Sequence, residues 1–91
     1  MNDSGEIADA LLDIRRHLQF RGELRVDLRG SGKSAFLYVS SARRSAEISV
    51  EGKEFFVEYW DSADEESEKS SVKSEIVPSL SGVIERMTAW F

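Results

Sequence analysis

The apolar positions of this chain change period along its length, and the changes outline its elements. Ile7, Leu11, Ile14 and Leu18 recur at spacings of four, three and four, which aligns them on one helical face. Ser4 is placed to cap that helix. Asp9 and Asp13 come early in it and Arg15, Arg16 and His17 late, each where the macrodipole favours its charge. Gly22 offers a left-handed stop. The pattern predicts a helix over residues 5–20.

From Glu23 to Arg29 the period becomes two, as in a strand with one buried face. A turn at Gly30-Ser31-Gly32-Lys33 leads to a second strand over 34–41, and residues 45–50 form a third. After a two-residue loop at Glu51-Gly52, the run from Lys53 to Trp60 is a fourth strand and the most aromatic stretch of the chain. Residues 72–77 leave room for a short fifth strand at the sheet edge. Pro78 and Ser79 then open a last helix, with Leu80, Val83, Ile84, Met87 and Phe91 on one face. Gly82 inside it costs about 1 kcal/mol relative to alanine, which points to a close backbone approach. The expected fold is a single α+β domain in two layers, order αββββ(β)α. It is a four-stranded antiparallel meander, with the possible fifth strand at its edge and the N- and C-terminal helices on one face.

Short loops set which residues oppose each other. A loop at Ser31-Gly32 pairs Val26 with Leu37, one at Ala42-Arg43 pairs Val39 with Ala46, and one at Glu51-Gly52 pairs Ile48 with Phe55. Apolar meets apolar each time, although neither Ala42 nor Arg43 favours a positive φ. The opposite face then carries Arg25, Phe36, Tyr38, Glu47, Phe56, Glu58 and Trp60. Phe55 and Phe56 are adjacent and cannot share a face, and neither can Tyr59 and Trp60. Two helices cover one face of such a sheet, so the other is expected to show solvent an aromatic patch, with Arg25 over Tyr38 as a cation–π pair. These seven residues are the candidate partner-binding surface.

Charge sharpens that picture. Residues 61–68 hold Asp61, Asp64, Glu65, Glu66 and Glu68 and no base, while acids and bases balance elsewhere, so this stretch supplies the net −5. It reads as a solvated acidic linker over 61–71. Residues 15–44 carry eight of the twelve lysines and arginines.

Specific chemistry is mostly excluded. Gly32-Lys33-Ser34 ends like a phosphate-binding loop, but Asp27 stands where the first glycine belongs and a strand follows where a helix is needed. The acidic run lacks the glycine of an EF-hand, since Glu66 occupies that position. His17 is the one histidine and has no ligand spacing around it. There is no cysteine, hence neither a disulfide framework nor a thiol nucleophile. Neither a nucleophile–base pair nor a cofactor motif is visible, so the chain is expected not to be an enzyme. No small-molecule ligand is evident. The second strand lacks the Lys/Arg-Gly-aromatic signature of RNA-binding sheets, and the net charge disfavours nucleic acid. No stretch suits a membrane span or signal peptide, which makes a cytoplasmic setting the expectation. The expected partner is a protein, either a different one or a second copy in a homodimer of structural role. Immunity proteins that neutralise basic toxins and dimeric secretion chaperones are comparable in size, charge and architecture, without a shared motif.

Overall fold

The fold, seen in a computed structural model that describes residues 3–20, 22–30, 32–61 and 72–91, is a five-stranded antiparallel meander with a helix at each end. Its elements are α1 (Asp3–Leu18), β1 (Arg25–Arg29), a 3₁₀ turn (Gly32–Ser34), β2 (Phe36–Ser40), β3 (Ser45–Glu51), β4 (Glu54–Trp60), β5 (Lys73–Val77) and α2 (Leu80–Trp90). The strands lie side by side in chain order, and the fifth edge strand forms. Both helices pack on one face and touch each other. Among the described residues no helix is long and apolar enough to cross a membrane.

The core follows from the two periods. Leu11, Ile14 and Leu18 of α1 and Val83 and Met87 of α2 are sealed against Leu37, Val39, Ala46, Ile48, Val57, Tyr59 and Val77 of the sheet. Each fully buried aliphatic side chain contributes about 1.5–3 kcal/mol. Ser79 caps α2, its Oγ accepting the Gly82 N–H at 3.1 Å, as the sequence suggests. Gly82 sits where a Cβ would come within 2.8 Å of Val77 Cγ1, so the expected close approach is between α2 and β5. The ends of α1 differ from expectation. The helix already includes Asp3, which puts Ser4 inside it rather than at its cap. It stops at Leu18 with Gln19 N–H bonded to the Arg15 carbonyl, and Gly22 has no positive φ.

The register is as read at one turn and slipped by two residues at the others. Ala42-Arg43 does pair Val39 with Ala46 and Leu37 with Ile48. Neither Ala42 nor Arg43 takes a positive φ, and Ser41 closes the turn: its N–H donates to the Arg44 carbonyl and its Oγ accepts both the Arg43 and Arg44 N–H groups. Between β1 and β2 the 3₁₀ turn takes up extra residues, so Val26 pairs with Val39 and Leu28 with Leu37. Between β3 and β4 the loop is Gly52-Lys53, with Gly52 at φ 64 in the first central position, where a II′ hairpin takes glycine. Ile48 therefore faces Val57, and Val50 faces Phe55. A slip of two keeps every side chain on its expected face.

Two measurements check this packing. Phe55→Ala should lower stability by about 3–5 kcal/mol as a core truncation, and Phe56→Ala by clearly less; equal shifts in the urea midpoint would mean that the two faces are equally buried. Gly82→Ala gains helix propensity but overpacks Val77, so it should destabilise by about 1–3 kcal/mol, where a surface glycine would stabilise.

Candidate functional site

The helix-free face is built from every second residue of the strands, and the register arranges them in rows. One row runs Arg29, Phe36, Ser49, Phe56, Ile76 from edge to edge; the next runs Asp27, Tyr38, Glu47, Glu58, Ser74; a third runs Arg25, Ser40, Ser45, Trp60. Strand geometry spaces neighbouring rows by about 6.4–6.8 Å. All seven candidates from the sequence thus lie on this face.

It is more closed than the expected patch. Tyr38 is only 4% exposed although it lies outside the helix-covered core. The Arg29 guanidinium sits over its ring at 4.5 Å. The expected partner, Arg25, is displaced by the two-residue slip: it stands opposite Ser40 and instead bonds the Asp27 carboxylate at 3.0 Å. Arg29 also reaches Asp27, at 3.5 Å. Phe36, Phe56, Trp60, Glu47 and Glu58 are partly buried. Ile76, which sequence reasoning left off the face, is 50% exposed and directly opposite Phe56. The sheet-edge register of β5 was the missing signal.

At the centre, Glu47 and Glu58 stand directly opposite each other on adjacent strands. Side chains in that relation have Cβ atoms about 4.5–5.5 Å apart, and like charges so placed destabilise a sheet. Burial raises the Glu47 carboxyl above its ordinary value, Glu58 raises it further, and Arg29 opposes both. Glu58 takes part in further interactions besides this one.

The helix-covered side shows a carboxylate handled in the opposite way. Tyr59 OH donates to Glu75 Oε2 at 2.5 Å, and Arg86 Nε to Glu75 Oε1 at 3.1 Å. These bonds hold the Glu75 carboxyl below its ordinary value, and burial together with the carboxylate pushes the Tyr59 hydroxyl up. Trp90 packs edge-on against Tyr59, bonds the Ser45 carbonyl through Nε1 and carries Arg44 over its ring at 4.3 Å. Arg44 also bonds Asp61 at 3.2 Å. The rest of the acidic run, Asp64, Glu65, Glu66 and Glu68, lies outside the described residues. Between the Ser41–Arg44 turn and Trp90–Phe91 opens a groove of about 460 Å³ that the sequence did not reveal.

The excluded motifs stay apart from this face. Gly32-Lys33-Ser34 is a short 3₁₀ turn leading into β2, with no helix behind it. His17 Nδ1 bonds the Asp13 carbonyl one turn back, at the exposed end of α1. Among the described residues no group of three His, Asp or Glu side chains is arranged to hold a metal ion.

Replacing Glu47 by Gln should raise stability near pH 7 by about 0.2–1 kcal/mol, the size of a cross-strand charge repulsion. A carboxyl with a raised folded pKa costs stability above that pKa and stops costing it as pH falls to the unfolded value. The advantage of Glu47→Gln should therefore fade towards pH 4.5, the ordinary value. Urea midpoints of both proteins across this range check it; a constant difference would assign the effect to packing.

No protein-family model, curated protein or solved structure matches the chain.

Proposed function

We propose that this chain is a non-catalytic protein-binding module that works through its helix-free sheet face together with the acidic segment starting at Asp61. The observation that carries this reading is the composition of the face. An apolar row of Phe36, Phe56 and half-exposed Ile76 runs beside a row of carboxylates, with Trp60 beyond it. Aromatic anchors with a polar surround are what protein interfaces are made of. The five acids of residues 61–68 would steer a basic partner and speed its encounter. Nucleic acid fits poorly, since carboxylates at the centre of the face repel phosphate. The cysteine-free composition suits a reducing, cytoplasmic setting.

Self-association is a second reading, favoured by one observation. Leu28 lies on the open edge strand β1 and is 36% exposed there, which would suit edge-to-edge pairing of two copies.

Light scattering on the eluting protein separates the two: a mass near 10.3 kDa is expected for the binding module, and twice that for the pair. With a partner captured from the native host, reversing Asp64, Glu65 and Glu66 to lysine should slow association and weaken its salt dependence. Unchanged rates would remove the acidic segment from the reading, and unchanged affinity in Phe56→Ser would remove the face.

A further inference from the structure

We propose that the open edge of β1 joins the same edge of a second copy of this chain as an antiparallel pair centred on Val26, with Arg25 of each copy opposite the partner's Asp27. This rests on the self-association reading and gives it a register. The helix-free face stays open in such a pair, so its reading stands or falls separately.

β1 is the first strand of the sheet and, among the described residues, has a strand on one side only. Its outer edge presents backbone groups that a further strand would pair. The side chains decide which strand fits. When two copies meet about a twofold axis, the residue on the axis fixes every opposition. With Asp27 on the axis all of β1 would pair, but Asp27 would oppose itself and Arg25 would oppose Arg29. With Arg25 there, Arg25 would oppose itself. Like charges so placed destabilise a sheet. Leu28 on the axis carries the pairing into Gly30, where a φ of 73 ends the extended backbone. Val26 on the axis avoids all these faults: Arg25 meets the partner's Asp27, Leu24 meets the partner's Leu28, and Val26 meets its own copy.

The apolar half of that match covers what one copy leaves open. Leu28 stands opposite Leu37, on the helix side of the sheet, yet is 36% exposed. The partner's Leu24 would lie against it. Directly opposed side chains share a face, so Val26 opposite its own copy puts both helix layers on one side of the joined sheet. α1 packs over β1, β2 and β3, and α2 over β4 and β5, which sets the two α1 helices beside the seam. Leu12 of α1 and Phe20 just after it are exposed in this same half of the chain.

The charged half adds to bonds each copy already has. Arg25 reaches its own Asp27 at 3.0 Å with its side chain 75% exposed, so a second carboxylate can approach it without disturbing a buried contact. Around the axis the two copies then alternate arginine and aspartate, and such a network is worth more than an isolated exposed pair. The other edge is less suited, because Lys73 and Glu75 of β5 are drawn inward to the Tyr59 ring, the Tyr59 hydroxyl and Arg86.

Sedimentation equilibrium on the full chain, from micromolar to about 1 mM, tests the pair. The mass should rise from near 10.3 kDa toward twice that value. Arg25→Asp and Asp27→Arg should each weaken association roughly tenfold or more, since each turns two attractions into repulsions. Mixed together, the two variants should pair with each other, because their charges are complementary in this register alone. Urea midpoints near the parent's should show both variants folded, and Phe56→Ser should associate like the parent. A mass that stays near 10.3 kDa throughout overturns the proposal and the self-association reading together. A pair indifferent to Arg25→Asp, or a mixture that fails to associate, overturns the register and leaves self-association standing. Loss of the pair in Phe56→Ser would move the contact to the helix-free face and overturn the edge.

Discussion

Neighbouring residues of a strand point to opposite faces, and β4 carries an aromatic ring at both positions of Phe55–Phe56 and of Tyr59–Trp60. Whatever the register, this sheet has rings on both sides. Among the described residues, helices cover one side only. Phe55 and Tyr59 enter the core, whereas Phe56 and Trp60 lie partly buried on the other face. Cross-strand contacts of that kind are worth about 0.2–1 kcal/mol each, well below the cost of truncating a core ring. The helix-free face is thus held together weakly compared with the core, and it stays partly open at Phe36, Phe56 and Ile76.

Faces were legible in the sequence because they depend only on parity. The turns at Gly30–Ser34 and Gly52-Lys53 each moved the pairing by two residues, yet Val26, Leu37, Ile48 and Val57 still point into the core and Arg25, Phe36, Glu47 and Phe56 away from it. Who faces whom was less legible, because it depends on turn chemistry. A 3₁₀ turn lengthened one connection, and the only glycine of the β3–β4 loop became the first of its two central residues rather than the second. That slip is why Arg29, and not Arg25, lies over Tyr38. At Ser41 the side chain supplied hydrogen bonds that a positive φ would otherwise have served, which a propensity argument about Ala42 and Arg43 overlooks.

Contacts far apart in sequence were hidden altogether. Trp90 meets Ser45 and Arg44 across 45 and 46 residues. Lys73 and Glu75 lie on the helix-facing side of β5, where a hydrophobic pattern would expect apolar residues. They fit because Tyr59 brings a hydroxyl that needs an acceptor and a ring that accepts a cation, while Arg86 of α2 supplies the counter-charge. Nothing short of the β4–β5 register and the angle of α2 shows this.

The two faces of the sheet treat their carboxylates in opposite ways. On the helix side, Glu75 is bonded by Tyr59 and Arg86 and its charged form is favoured. On the open side, Glu47 faces Glu58 and its charged form is disfavoured by burial and by that neighbour. Sequences that specify a fold tend to agree with it at every level, and departures gather where a chain does something besides fold. One side of this sheet satisfies its charges within the chain. The other holds two acids opposite each other beside an apolar row, where Arg29 offsets part of the cost of charging Glu47.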